Sequence, residues 1–336
     1  MKLFTPGRLI GAGCVLACVV FVLWIWPTNE YIFLPDVAHP VAPLVTVEGG
    51  HNPKTGSIYF VDVIVRKATI IERLFGGLHK GAELFPASEI NPPGTDSAQQ
   101  ASIDLEDMKL SQQTAAAVAL KAMGRKVDVQ PIGARIDQVQ TGLPAVGKLE
   151  PYDVITAVNG KRVTEPDQVI ALTRKTKIGG TVRYTILRDG KTLLEQIQTV
   201  AGGSPRRPVV GIYLDSQPAA DIHLPIHVSI DAGNIGGPSA GLAFALEVME
   251  KLGRNVVHGH KIAATGEISL DGSVSAIGGI KQKVIGAREA GVDAFLVPAG
   301  ENAVEARKDA HGLKIIAVHN FQQALRALAT LPPATH

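Results

Sequence analysis

Cysteine is nearly absent. The 336-residue chain holds two, Cys14 and Cys18, both in one apolar run near the N-terminus. The part after Cys18 therefore has no disulfide framework, no cysteine zinc site and no cysteine nucleophile. Aromatic residues make up 5%, which leaves little surface for stacking bases. Charge is nearly balanced, 33 basic against 31 acidic residues for a net +2, and no basic block stands out. Nucleic acid is thus not an expected partner. A phosphate loop is missing too. Gly190-Lys191-Thr192 has the tail of one, but Thr185 stands where its first glycine belongs. No ATP site is expected, and no cofactor or metal. What is present is 46% hydrophobic and 19% charged. That excludes global disorder, and at roughly 100–200 residues per domain the length suits two compact domains or three.

Leu9 to Trp26 carries no charge, about the minimum for a transmembrane helix. Lys2 and Arg8 precede it, and Glu30 and Asp36 follow. The positive-inside bias puts the N-terminus in the cytoplasm and the rest of the chain outside it. Trp24 and Trp26 sit where interfacial aromatics belong. A cleaved signal peptide would end in a small-x-small site, whereas Val22-Leu23-Trp24-Ile25-Trp26-Pro27 is bulky. Residues 1–27 are expected to form a cytoplasmic N-terminus and an uncleaved membrane anchor.

The next stretch, 28–126, opens β-branched, and Gly56 to Arg66 reads as a strand. A Pro/Gly/Ser-rich loop over Pro86–Gln99 leads to a helix. Asp104, Glu106 and Asp107 suit its start, Ala115, Val118, Ala119 and Ala122 share one face, and Gly124 suits its end. Residues 127–202 have a different texture. Short strands (Ala134–Gln140, Val154–Val158, Thr181–Arg188) flank one helical segment, Pro166–Arg174, and Asn159-Gly160 and Asp189-Gly190 mark tight turns. Leu143-Pro144-Ala145, Gly147, Leu149, Asp153-Val154-Ile155, Val158-Asn159-Gly160-Lys161 and Val163 resemble a PDZ domain. That resemblance implies binding of an extended peptide along a sheet edge. The carboxylate-binding glycine loop of such domains is not visible; only Pro131-Ile132-Gly133 lies near its place.

Gly202-Gly203-Ser204-Pro205 reads as a linker into a third stretch, 203–330, of α/β texture. Strands are expected at His227–Asp231, Lys261–Ala264, Ala294–Val297 and Lys314–Val318. Between the first two runs Asp231-Ala-Gly-Asn-Ile-Gly-Gly-Pro-Ser-Ala-Gly241, with Pro238 suited to a first helical position. A helix follows to Leu252, with Leu242, Ala245, Leu246, Met249 and Leu252 on its apolar face and Gly253 as its stop. Ser239 at its start has two readings, a capping residue or a nucleophile beside free N–H groups. Farther on, Lys283 lies in a second glycine-bounded helix near Ile280 and Val284. It is either a surface lysine or one whose desolvation lets it serve as a base for a serine.

Gly237-Pro-Ser-Ala-Gly241, Thr265-Gly266-Glu267-Ile268 and Gly278-Gly-Ile-Lys281-Gln-Lys283, in that order, resemble the proteolytic domain of Lon proteases. The resemblance implies Ser239 as nucleophile, Lys283 as general base, Thr265 as support for the lysine and Lys281 as a solvated neighbour. It also implies an active-site loop and oxyanion region at Gly236, Gly237, Pro238 and Ala240. Typical Lon sequences carry an acidic residue at the position of Gly236; Asn234 and Asp231 are the nearby stand-ins. With no ATPase motif, the chain resembles the membrane-anchored, PDZ-containing Lon-like proteases of bacteria (YlbL-like). The implied fold is an α/β (α+β) Lon-type domain plus a small β-rich PDZ domain, preceded by one transmembrane helix. The implied activity is ATP-independent cleavage of extracytoplasmic proteins or peptides, with the PDZ domain recruiting or regulating. Lon-type domains commonly form rings, so a homo-oligomer stays open. Residues 205–336 are short for such a domain, so 28–126 is expected to complete it, with the PDZ domain inserted. Gly237-x-Ser239-x-Gly241 also fits a nucleophile elbow with His258, His260, His311 or His319, but a glycine/asparagine loop separates it from the preceding strand. His258-Gly259-His260 lacks the further ligands of a metal site. A membrane-tethered PDZ adaptor on an inactive protease scaffold is the non-enzymatic alternative.

Overall fold

The computed structural model describes residues 6–52, 55–76, 78–90 and 97–334. They fall into two compact units. The first comprises Met1–Leu44, Asn52–Ile90 and Ser239–His336; the second comprises Val45–His51 and Asn91–Pro238.

The first unit is built on a mixed six-stranded sheet. The β-branched run Ser57–Thr69 is a strand, with Ile58, Phe60 and Val61 buried. It pairs antiparallel with Pro27–Pro40 on one side. On the other it runs parallel to Lys261–Ala264, with Lys261 level with Ser57 and Ala263 level with Tyr59. Ala294–Pro298 and Lys314–Val318 extend the sheet in parallel, and Glu83–Pro86 closes the opposite edge. Parallel neighbours need crossover connections, and the helices Ile280–Glu289 and Glu301–Lys308 supply them. Ile280, Val284 and Ala287 pack on Val61, Ala263, Phe295 and Val297. Burying each large aliphatic side chain there contributes about 1.5–3 kcal/mol. Gly286 lets this helix lie close, because a Cβ there would stand 2.1 Å from the Asp36 carbonyl oxygen.

In the second unit a sheet runs in the order Ile212–His223, Asp128–Val139, Val154–Val158, Thr181–Arg188, Lys191–Gln198. The helix Pro166–Arg174 sets Val169 into a core with Ile136, Ile155, Tyr184 and Ile197. This unit continues past the expected linker. Ile212–His223 is an edge strand of the same sheet, paired with Asp128–Val139. Pro218 and the mixed run Ser216 to His223 break the alternation that would mark it as a strand. Val228–Ile230 pairs with Val45–Val47.

The long helix of this unit spans Ser97–Ala122, so it starts earlier than its acidic residues suggest. Residues 91–96 of the expected loop lie outside the described residues. Its first turns are rich in Ala, Gln and Ser, and Gln100 Nε2 donates to Asp104 Oδ1 at 2.9 Å, one turn on. Gly124, at φ +75°, ends the helix, and the Arg125 amide bonds back to the Leu120 carbonyl at 2.9 Å.

Pro6–Ile25 is helical, and Val15, Leu16, Phe21 and Trp24 on it are exposed. Lys2 lies outside the described residues. Among the described residues no helix is long and apolar enough to cross a membrane.

Candidate active site

Ser239 sits in a 3-10 turn, Pro238–Ala240, that leads into the buried helix Gly241–Lys251. Proline presets the first turn's φ. The helix takes no side-chain cap: its cap residue is Ala240, and the Ser239 hydroxyl is engaged elsewhere. The Ser239 carbonyl accepts the Gly266 amide at 2.7 Å and the Thr265 hydroxyl at 3.2 Å. The Leu242 amide in turn donates to the Gly266 carbonyl at 3.1 Å. These bonds pin the turn to the chain that leaves the Lys261–Ala264 strand, and the Thr265 amide fixes that chain to Leu296 at 3.0 Å.

Lys283 comes from the first turn of Ile280–Glu289. Gly279 caps that helix at φ +67°, which few side chains tolerate. Lys283 Nζ lies 2.7 Å from Ser239 Oγ and 3.4 Å from Thr265 Oγ1. The lysine is 4% exposed and Thr265 is 1% exposed. Burial disfavours the ammonium and pushes the Lys283 pKa down to about 8, while the Asp62 carboxylate works the other way. Burial first, then Asp36, raises the carboxyl of Asp62 above its ordinary range. Lys281, by contrast, is half-buried and pairs with Glu83 at 3.1 Å. A serine hydroxyl beside a buried amine of lowered basicity is a pair able to exchange one proton near neutral pH.

The loop that precedes Ser239 belongs to the second unit up to Pro238. Gly237 has φ +86°, and its amide donates to the Asp104 carbonyl at 2.7 Å. A Cβ on Gly236 would stand 2.7 Å from Asp104 Cβ. An acidic side chain at 236 is therefore excluded, and Asp104 occupies the space it would take. Asp231 accepts the Gly233 amide at 2.9 Å, a turn-forming role. Sequence reading missed Asp104, which looked like one charge in an acidic helix start.

Among the described residues no histidine takes the place of Lys283. His260 is buried between Asp293, at 3.3 Å, and the Pro332 carbonyl, at 2.7 Å. The His258 amide closes a turn on Asn255. Among the described residues one group, Asp36, His39 and Asp62, has side-chain atoms within 4.8 Å of one another that could hold a metal ion. In the structure His39 Nε2 faces both carboxylates, at 3.8 Å from Asp36 and 3.5 Å from Asp62.

The second unit carries a groove of about 870 Å³ between the Pro166–Arg174 helix and the segment Pro208–Asp215. Val169, Tyr184 and Val210 supply apolar lining. Gly211, at φ +92°, turns the chain here, and a Cβ on it would strike Leu143 at 2.3 Å. Among the described residues the Val210 and Gly211 amides have no backbone acceptor. The sequence candidate Pro131-Ile132-Gly133 is elsewhere, paired with Ala219 and Ala220 inside the sheet. The missed signal is Val210-Gly211-Ile212, an apolar-glycine-apolar step just after Pro208.

Residues 204–330 match the family model for the Lon protease (S16) C-terminal proteolytic domain, and residues 106–199 match that for the PDZ domain. The chain is 37% identical over 150 residues to a Lon protease of Buchnera aphidicola subsp. Schizaphis graminum, covering 43% of this chain and 19% of that protein. It is 37% identical over 109 residues to Lon protease 2 of Bacillus subtilis, covering 32% of this chain and 19% of that protein. Among solved structures, the PDZ domain of an SdrC-like protein from Listeria monocytogenes is 25% identical, covering 25% of this chain and 87% of that one, with a TM-score of 0.24. The chain thus carries one region matching a Lon-type (S16) proteolytic domain and one matching a PDZ domain. It spans less than a fifth of the length of these Lon proteases.

Proposed function

We propose that the protein is an ATP-independent serine endopeptidase in which Ser239 and Lys283 form the catalytic dyad. The observation that carries this reading is the 2.7 Å approach of a buried lysine amine to the serine hydroxyl. Neutral Lys283 takes the Ser239 proton as Oγ bonds to the scissile carbonyl carbon and the carbonyl π electrons move onto oxygen. The Ser239 N–H is the backbone donor assigned to that oxyanion, since Gly237 already donates to Asp104. Collapse breaks the C–N bond, and the leaving amine takes the proton from Lys283. Water then attacks the Ser239 ester with Lys283 as base, and Ser239 leaves with its proton restored. Thr265 holds the amine in place through its hydroxyl.

We further infer that the PDZ domain is inserted in the protease domain. Ser57–Thr69 and Lys261–Ala264 share one sheet although the PDZ segment lies between them in sequence, which supports this arrangement. The groove at Pro208–Asp215 receives an extended peptide of a substrate or regulator. The exposed apolar side chains of Pro6–Ile25, with Lys2 and Arg8 before them, support a membrane tether that leaves the working part outside the cytoplasm. A protease without an unfoldase cuts flexible or extended segments.

The test is incubation of the purified full chain with casein, without nucleotide, beside Ser239→Ala and Lys283→Ala. Cleavage by wild type alone is expected. Cleavage surviving in Ser239→Ala contradicts the assignment, and none by any form favours a PDZ adaptor.

A further inference from the structure

Ser111 lies in the middle of the Ser97–Ala122 helix and is 4% exposed. A serine inside a helix ordinarily turns its hydroxyl back to a carbonyl one turn earlier. Ser111 does otherwise: its Oγ donates to the Pro238 carbonyl at 2.9 Å. A buried hydroxyl spent on a single distant carbonyl holds that carbonyl, because losing the bond would leave the hydroxyl unpaired.

The carbonyl in question belongs to the peptide group whose N–H is that of Ser239. The Pro238–Ser239 bond is trans, since Ser204-Pro205 is the cis bond found among the described residues. A trans peptide is planar, so its N–H points opposite to its C=O. Holding the Pro238 oxygen therefore sets the direction of the Ser239 N–H. That N–H lies in the first turn, where a helix offers no internal acceptor, and it is free to serve a ligand. Donation into the carbonyl also polarises the peptide and strengthens its N–H as a donor. The same helix holds the loop a second time, through the Asp104 carbonyl and the Gly237 amide at 2.7 Å. Two successive points of the loop are thus fixed by one rigid element.

We propose that Ser111 is a positioning residue for hydrolysis: it sets the peptide plane that aims the Ser239 N–H at the developing oxyanion. The inference rests on the proposed protease reading and adds to it a residue that touches neither substrate nor base.

The experiment compares wild type, Ser111→Ala, Ser111→Thr and Ser239→Ala, all as full chain. The substrate is a fluorogenic peptide copied from a site the wild type cuts in casein. The inhibitor is the boronic acid of the same acyl half, whose oxygen occupies the oxyanion position. Ser111→Ala is expected to lower kcat by about 10- to 100-fold with KM unchanged, somewhat less than removing an oxyanion donor outright. Boronate affinity should fall by the same factor, because a transition-state mimic loses what the transition state loses. The pH midpoint should stay put, since Lys283 is untouched. Ser111→Thr, which keeps the hydroxyl, should recover most of the rate. Should Ser111→Ala fail to fold, Ser111→Cys, a weaker donor of similar size, replaces it. A folded variant with wild-type kcat, or a slow one whose boronate affinity is unchanged, overturns the role of Ser111 alone. No Ser239-dependent cleavage by wild type overturns the proposed activity and this role with it.

Discussion

Lys283 Nζ stands 2.7 Å from Ser239 Oγ, and the lysine is 4% exposed. Of the two hydroxyls beside this amine, Ser239 is the nearer, with Thr265 Oγ1 at 3.4 Å. Ser239→Ala and Lys283→Ala should each lower kcat/KM by about 10⁴-fold or more, and the double variant should be no worse, because groups that act as a unit are not additive. Lys283→Arg should fail equally, since a guanidinium keeps its proton. Thr265→Val should cost less, about 10-fold, because Thr265 only holds the amine, at 3.4 Å. Steady-state cleavage of one peptide by the five variants checks this order.

Activity should rise with pH through a midpoint near 8, where Lys283 loses its proton. Stability should change with pH as well. Burial lowers the lysine pKa from 10.5 to about 8 in the folded state, so between those values the unfolded chain binds more protons. Stability therefore rises across that window, and below it the cost of the buried charge is full, roughly 3 kcal/mol. Lys283→Met should be inactive yet more stable than wild type at pH 7, as denaturant unfolding would show.

Asp62 is the carboxylate that favours the charged form of Lys283. Asp62→Asn removes that charge and keeps the shape. The midpoint of the pH–rate profile should move below that of wild type, and the rate at pH 6.5 should rise relative to the plateau. An unmoved midpoint would show that Asp62 and Lys283 are not coupled.

Glu247 opposes Lys283 in its effect on stability. It is 0% exposed, and both its carboxylate oxygens lack a hydrogen bond among the described residues. Burial raises its pKa from 4.5 to about 7. The folded chain holds the proton where the unfolded chain has lost it, so stability falls as pH rises from about 4.5 to 7, by roughly 3 kcal/mol. Glu247→Gln should raise Tm at pH 8 and leave it nearly unchanged at pH 4.5, measured by calorimetry.

The candidate site was legible in sequence where its chemistry is local. Gly-Pro-Ser at 237–239 and the glycine-bounded helix around Lys283 mark themselves by residue type and spacing. What brings them together is not local. The parallel pairing of Ser57–Thr69 with Lys261–Ala264 joins segments whose strand patterns do not name each other. Ile212–His223 shows no plain strand alternation in sequence, because an edge strand can carry polar residues on both sides. Gly211 lies beyond the 127–202 segment that reads as PDZ in sequence, whereas the glycine candidate of that segment, Gly133, sits near its start. Asp104 and Ser111 escaped notice because each matters through a backbone group of a distant loop, and nothing in the helix pattern distinguishes them.

Trapping the acyl-enzyme is the most direct test of the dyad. The purified full chain is incubated at pH 8 with a slowly deacylating ester, beside Lys283→Ala, and the adduct is located by peptide mass mapping. The expected result is one acyl group on Ser239 in wild type and none in Lys283→Ala. An adduct on another residue, or equal labelling of Ser239 without Lys283, would contradict it.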